Sequence, residues 1–244
     1  MIARRHLWLL GAALLVAAVC VRLGIWQLQR LAERRAYNAT VLSASSLPAV
    51  ELDALPEGDI RYRPVIVRGR YDTARELVLA NRPRRGSPGV HVLTPLLRAG
   101  NDTAILVVRG WVYAPDAAHA ALERWREDSA RGDAGYVRAY DQAAPGQRPA
   151  GTGAILRQLQ YDAAAERMPY PLAPYLVVLT GDGADSVSRH PPRLDSPALG
   201  EGNHLSYAFQ WFAFAVVAIA GTIVFIRHSR RPAGRRADQE FDPR

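Results

Sequence analysis

The 244-residue chain contains no lysine, a single cysteine and two methionines. Because Cys20 stands alone, a disulfide within the chain and a paired-cysteine metal or redox site are both excluded. All 31 basic residues are arginine, and 23 acidic residues leave a formal charge of +8. The excess is concentrated at the two ends, in Arg4, Arg5 and the tail from Arg227 onward. A nucleic-acid-binding protein carries its cations on the folded domain, so we expect no nucleic-acid partner.

The sequence also lacks the common signatures of enzymes. It has no Gly-rich phosphate loop and no Gly-x-Ser-x-Gly elbow. Its six histidines are scattered, and none follows the spacing of a zinc-binding helix. We therefore predict that the chain is not an enzyme and assign no catalytic residue.

Two long apolar runs are present, at residues 7–28 and 207–226. As helices each is about 30 Å long, which matches the hydrocarbon core of a bilayer. Arginines lie in the short tail 1–6 before the first run and in the basic tail 227–244 after the second. The positive-inside rule then predicts that both termini are cytoplasmic and that residues 29–206 form an extracytoplasmic domain.

Two other interpretations of the first run remain open. It has the basic start and apolar stretch of a cleaved signal peptide, with a weak small-x-small site at Ala17-Ala18-Val19. A lipoprotein site at Cys20 is also conceivable, although the bulky Val19 precedes it. The sequence favours an uncleaved membrane anchor over both.

The middle of the chain contains short apolar stretches separated by turn signals, which predict β-strands. These stretches are 64–69, 76–80, 90–93, 104–108, 135–140, 154–156 and 175–179. Asp116 is in position to cap a helix over residues 117–127. The predicted fold class is a membrane protein of α+β type, in which two transmembrane helices flank a mostly antiparallel β domain, or small barrel, with at least one helix.

The second apolar run begins with residues that suit a porphyrin. His204, Tyr207, Trp211, Phe214 and Ala218 form one stripe at helical spacing. A neutral imidazole is a common axial ligand of haem iron, and aromatic surroundings suit the face of the ring. The end of the first run offers Trp26, Gln27 and Arg30, of which the arginine can pair with a propionate. The alternative is that these residues only anchor the helices at the membrane interface.

Six blocks, in this order, resemble one family. They are Gly24-Ile25-Trp26-Gln27-Leu28-Gln29-Arg30, Tyr62-Arg63-Pro64-Val65, Gly69-Arg70-Tyr71-Asp72, Gly89-Val90-His91-Val92-Leu93-Thr94-Pro95-Leu96, Arg109-Gly110-Trp111-Val112 and Asn203-His204-Leu205-Ser206-Tyr207-Ala208-Phe209-Gln210-Trp211-Phe212. They are similar to the signatures of the surfeit locus protein family of cytochrome c oxidase assembly factors. One departure is that Tyr113 and Ala114 precede Pro115, where the family usually has proline directly after Arg-Gly-Trp-Val.

The resemblance implies a non-enzymatic role in assembling a haem-copper cytochrome c oxidase of the bacterial plasma membrane. It implies transient binding of haem a, with His204 as the ligand of the haem iron. The implied partners are a haem a synthase, the catalytic subunit of the oxidase and the lipid bilayer. The alternative function is a membrane-tethered scaffold that holds oxidase intermediates without haem, and an unrelated envelope enzyme is the third hypothesis.

Overall fold

The computed structural model describes residues 4–142, 151–181, 190–197 and 199–229. The chain divides into two compact units. We call the residues up to Asn38 together with those from Gly200 onward the helical unit, and Ala39–Leu199 the β unit. Of the predicted tails, residues 1–3 and all residues beyond Ser229 lie outside the described part of the chain.

The elements follow one another from a long helix, through a series of strands, to a second long helix. In chain order they are α1 (Arg4–Ser45), β1 (Val50–Glu51), β2 (Pro64–Tyr71), β3 (Leu77–Leu79), β4 (Gly89–Arg98), β5 (Asn101–Tyr113), β6 (Ser129–Ala139), β7 (Gly151–Thr152), β8 (Ile155–Leu156), α2 (Tyr161–Ala165), β9 (Leu172–Leu179) and α3 (His204–Ser229). Short 3₁₀ turns lie at Leu52–Ala54, Thr73–Arg75 and Leu122–Trp125.

The two predicted apolar spans lie within α1 and α3. Among the described residues these are two helices long and apolar enough to cross a membrane. Many of their large apolar side chains are exposed, including Leu14, Leu15, Val216 and Val217, so neither helix is the buried core of a soluble domain. Both observations suggest a membrane protein. The first helix does not end near residue 28 but continues to Ser45, because residues 29–45 lack proline and glycine and include several Ala, Arg and Leu residues.

Five strands of the β unit close into a barrel. Their order is β2-β6-β9-β5-β4, and β4 returns to β2 through Leu97 opposite Arg70 and Leu96 opposite Tyr71. β3, β8 and β7 extend the sheet beyond β4, and the two-residue β1 pairs with β2. In the described residues six of the nine strand pairings are antiparallel, which confirms the mostly antiparallel β domain.

The apolar core of the β unit has three clusters, and the two larger ones contain alternate residues of β5 and β9. All five barrel strands contribute to the first of these two, with Val67, Ile105 and Val177 among its members. The alternate residues Leu106 and Leu176 belong to the second, which is covered by β3, β8 and α2. The segments 104–108 of β5 and 176–179 of β9 are buried on both faces, which explains why their sequences are continuously apolar and show no alternation.

The helix predicted over residues 117–127 is wrong. Asp116 does act as a cap, since its Oδ1 accepts hydrogen bonds from the backbone of Ala118 at 3.0 Å and of His119 at 2.9 Å. However, Ala117 has a φ of 54°, so the chain forms an Asx turn, and only the 3₁₀ turn Leu122–Trp125 follows. Leu122 and Trp125 still pack on an apolar cluster of β3, β4 and β5. The described helix of the domain is instead α2, which is too short to show a helical period.

A buried arginine holds one end of the barrel together. The side chain of Arg109 on β5 is fully buried and pairs with Glu76 and with Glu127, the latter at 2.8 Å. Its Nε donates to Thr94 Oγ1 on β4 at 2.8 Å, and its guanidinium lies over the ring of Tyr71, 5.4 Å from the centroid. These contacts join four segments of the β unit through one cation.

A second arginine extends this network. Arg193 is 5% exposed, and its guanidinium donates to Glu127 at 2.8 Å and to Asp133 at 2.9 Å. It also donates to the backbone carbonyl of Arg109 at 2.8 Å. The charges of the network therefore compensate one another at short range, which a buried charge requires.

Replacing Arg109 should destabilise the β unit strongly. In Arg109→Met the carboxylate of Glu76 stays buried without its cation, which costs about 3–5 kcal/mol. Urea unfolding of the full chain in detergent, followed by tryptophan fluorescence, should show a lower midpoint. The exposed pair Arg61–Asp59 provides the control, because Arg61→Met should leave the midpoint nearly unchanged. Equal midpoints for both variants would contradict the role given to Arg109.

Stability should also depend on pH through His91 of β4. Burial, and then the nearby Arg82, Arg138 and Arg84, lowers the pKa of His91 to about 4. The unfolded chain binds a proton at its ordinary pKa near 6.5, so the free energy of unfolding should fall as the pH drops from about 6.5 toward 4. The slope is at most about 1.4 kcal/mol per pH unit. Between pH 6.5 and 5, the urea midpoint of unfolding should change less with pH in His91→Gln than in the unsubstituted chain.

Candidate functional site

The helical unit is an antiparallel pair of helices that pack through small residues. Ala13, Cys20 and Gly24 of α1 are buried, as are Ala208 and Ala215 of α3. At Gly24 the approach is closest, because a Cβ built there would lie 2.7 Å from the ring of Phe212. Any larger residue at this point requires the Phe212 ring to shift, so the small size of Gly24 permits the close contact of the two helices here.

His204 is the first residue of α3 and faces α1. Its Nδ1 lies 2.8 Å from Oε1 of Gln27. An amide oxygen only accepts, so in the neutral imidazole Nδ1 carries the proton and Nε2 keeps its lone pair. Within the described residues Nε2 makes no hydrogen bond. The imidazole is only partly buried and is therefore accessible to a ligand.

The residues that precede His204 form hydrogen bonds and an ion pair with α1. Arg34 donates from Nε to the carbonyl oxygen of Gly200 at 2.9 Å. Arg35 makes a two-point contact with the carboxylate of Glu201, at 2.8 and 2.9 Å. Sequence reasoning missed this pairing, because no local signal connects two residues that lie 166 positions apart.

The aromatic residues predicted for the site line both helices. On α3, Tyr207 is exposed, while Trp211 is half-buried and packs edge-to-face on Phe214 with ring centroids 5.9 Å apart. On α1, Trp26 is 41% exposed, and the guanidinium of Arg30 lies 5.6 Å from its ring centroid. Exposed aromatic surface is thus present on the same two helices that carry the His204–Gln27 contact.

The structure brings some of the predicted site residues together and leaves others apart. His204 and Gln27 are in direct contact, and Trp26 and Arg30 are neighbours on α1. Among the described residues, no hydrogen bond, ion pair or ring contact joins Trp26 or Arg30 to Tyr207 or Trp211. Arg30 forms an exposed ion pair with Glu33 at 2.8 Å, so a propionate would have to compete with that carboxylate.

The β unit contains a cavity that could compete with His204 as the functional site. This cavity of about 570 Å³ is lined by residues that include Asp116, His119 and Arg157, and the first two form a pair at 2.6 Å. Both partners are exposed, and the described lining contains no Ser, Thr or Cys beside them. In the part of the chain that the structure describes, no group of three or more His, Cys, Asp or Glu could hold a metal ion. We therefore place the candidate site at His204.

Comparison with known proteins gives a consistent result. The model of the SURF1 family matches residues 14–216. A SURF1-like protein of Rickettsia felis is 22% identical over 223 residues, which cover 88% of this chain and 95% of that protein. Surfeit locus protein 1 of Gallus gallus is 33% identical over 123 residues, 43% of this chain and 40% of the relative. The yeast cytochrome oxidase assembly protein SHY1, from Saccharomyces cerevisiae, is 28% identical over 122 residues, 44% of this chain and 30% of the relative.

The contact between Gly24 and Phe212 can be tested by filling it. Gly24→Leu places a side chain where the ring of Phe212 lies, and overpacking of this kind costs about 1–3 kcal/mol. Thermal unfolding of the full chain in detergent should therefore begin at a lower temperature, and adding Phe212→Ala should restore most of the loss. Gly11→Leu on the same helix is the matched control, since nothing lies within 4 Å of a Cβ at Gly11. An unchanged unfolding temperature in Gly24→Leu would show that the helices do not pack on this face.

Proposed function

The chain belongs to the SURF1 family, and from that premise we propose that it is a membrane-anchored assembly factor for a haem-copper cytochrome c oxidase. It binds haem a transiently through His204 and delivers it to the catalytic subunit of the oxidase. The observation that carries this proposal is the His204–Gln27 contact, which leaves Nε2 of the imidazole with a lone pair at the start of an apolar helix.

The oxidase part of the proposal is supported by the relatives. SHY1 is named a cytochrome oxidase assembly protein, and the match covers 44% of this chain. The match to the Rickettsia felis protein covers 88% of this chain and 95% of that protein, so the similarity to a bacterial SURF1-like protein is not confined to one part of the chain. A haem as the cargo is supported by the imidazole and the aromatic residues of the site, and haem a in particular by the resemblance to the oxidase assembly factors.

The cellular location follows from the two helices and the arginines. We propose that α1 and α3 span the plasma membrane of a bacterium, with both termini cytoplasmic and the β unit outside. Arg227 follows the predicted span directly, and Arg4 and Arg5 precede the other one, as the positive-inside rule requires. His204 then lies at the outer edge of the hydrocarbon layer, where an apolar cofactor with charged propionates is partly solvated.

The site residues suit a cargo that is held and released. His204 supplies one neutral nitrogen to the iron. Tyr207, Trp211 and Trp26 supply flat apolar surface for the porphyrin, and Arg30 supplies a cation for a propionate after exchange with Glu33. Gln27 completes the set by contacting His204 rather than the porphyrin. None of these roles makes or breaks a covalent bond of the cargo, so the proposed activity is that of a carrier and not of an enzyme.

The expected partners are those that such a carrier needs. A haem a synthase supplies the cofactor, and the catalytic subunit of the oxidase receives it. Both reside in the membrane, so the exposed faces of α1 and α3 provide lateral surface for either encounter. Direct transfer between membrane proteins avoids releasing an apolar porphyrin into water.

The proposal predicts a haem a spectrum that depends on His204. The full chain, co-expressed with a haem a synthase and purified in detergent, should carry haem a. His204→Ala should reduce the haem load at least tenfold, because the axial ligand is lost. His228→Ala, at the other end of the same helix, is the matched control and should keep the full load. Absorption spectra and pyridine haemochrome analysis give the load.

The opposite outcomes separate the alternatives. Full haem load in His204→Ala would reject this residue as the ligand. A haem-free chain that still co-purifies with oxidase subunits would reject the carrier and favour the scaffold that holds assembly intermediates together. Activity that survives in the β unit without the two helices would favour an enzyme.

A further inference from the structure

We propose that Gln27 is a positioning residue that fixes the tautomer and direction of the His204 imidazole and sets how tightly the iron is held. This inference rests on the proposed function, because it concerns the ligand of the same haem. It adds a role that the family match does not assign, namely control of the ligand strength of His204 by a neutral acceptor on the other helix.

The chemistry follows from the hydrogen-bonding groups of the two side chains. Oε1 of Gln27 lies 2.8 Å from Nδ1 and cannot donate, so the proton of the neutral imidazole resides on Nδ1. The lone pair is thereby restricted to Nε2, the nitrogen at the outer end of the ring. Histidines that bind metals commonly donate their other N–H to an acceptor that fixes the ring orientation and tunes the basicity of the ligand.

The surroundings of the ring keep Nε2 accessible. Gly202 has a φ of 70°, and a Cβ built there would lie 3.6 Å from Nε2 and 3.4 Å from Cδ2. Any other residue would therefore place its side chain beside the nitrogen that must reach the iron. On the α1 side the backbone before His204 is held by Arg34 and by the Arg35–Glu201 pair. The backbone of His204 is thus held in place and Nδ1 is hydrogen-bonded to Gln27. Among the described residues Nε2 has no hydrogen-bond partner.

The acceptor at position 27 is the oxygen of a neutral amide and not of a charged carboxylate. A carboxylate at position 27 would pull the Nδ1 proton more strongly and make Nε2 a stronger donor to the iron. A carrier must give up its haem, and an amide acceptor orients the ring without that gain in ligand strength. Gln27 therefore matches a ligand built for release.

The experiment compares two substitutions that should act in opposite directions. In Gln27→Glu the stronger acceptor should lower the haem reduction potential and slow transfer of haem to excess apomyoglobin about tenfold. In Gln27→Met the acceptor is lost at similar size, so the potential should rise and haem transfer should accelerate about 10- to 100-fold. Both are measured on the full chain in detergent after co-expression with the synthase.

A structural control separates tuning from loosening of the helices. Glu201→Gln weakens the pair with Arg35 while Gln27 stays the acceptor of the His204 proton, so its shift in potential measures loosening of the segment before His204 alone. The potentials of Gln27→Glu and Gln27→Met should lie on opposite sides of it. A folding defect would move both Gln27 variants the same way, whereas tuning moves them apart.

The failure of this inference is distinct from the failure of the proposed function. If the unsubstituted chain carries no haem, the proposed function is lost. If it carries haem that His204→Ala loses, while Gln27→Glu and Gln27→Met keep the original potential and transfer rate, then the carrier stands and the role of Gln27 is overturned. Shifts of the same sign in both Gln27 variants would overturn it as well.

Discussion

The close approach of α1 and α3 is the constraint on which the candidate site depends. The two helices are antiparallel, so Gly24 meets Phe212, Gln27 meets His204 and Arg35 meets Glu201 in order along the pair. A side chain at position 24 would displace the Phe212 ring, and the His204–Gln27 contact lies only three residues further along α1. A single imidazole at the end of a helix is common; an imidazole whose second nitrogen is fixed by the opposite helix has a defined direction.

The β unit solves a different physical problem, the burial of charge. Arg109 is fully buried, and its cation is balanced by carboxylates that come from separate segments of the chain. Such a network adds little net stability when complete, but it is costly to leave incomplete. It therefore favours one arrangement of β3, β4, β5 and the segment around Glu127 over alternatives with similar apolar packing.

Much of the architecture could be predicted from the sequence. The apolar runs gave two long helices, and turn residues separated the strands, because both signals are local. The helix expected after Asp116 was wrong because an Asx turn uses the same capping residue, and Ala117 adopts a left-handed backbone that no pattern reveals. The contacts at Arg109 and between Arg35 and Glu201 could not be predicted, since they join residues far apart in sequence and have no periodic signal.

In the candidate site, too, local patterns could be predicted from the sequence, whereas contacts between the two helices could not. Helical spacing grouped His204 with Tyr207 and Trp211 on one helix, and Trp26, Gln27 and Arg30 on the other. Spacing along one helix cannot say which residue of the second helix meets it, so Gln27 was grouped with residues expected to touch the cofactor. Only the packing of the two helices shows that Gln27 is the hydrogen-bond partner of His204.

The place of β9 in the barrel has a consequence for the order in which the chain matures. This strand comes last among the five but lies between β5 and β6, parallel to the first and antiparallel to the second. During synthesis the barrel therefore stays open, with two unpaired edges, until residues 172–179 have left the ribosome. Open edges promote aggregation. A nascent chain interrupted before Leu172 is thus a substrate for quality control rather than a smaller working domain.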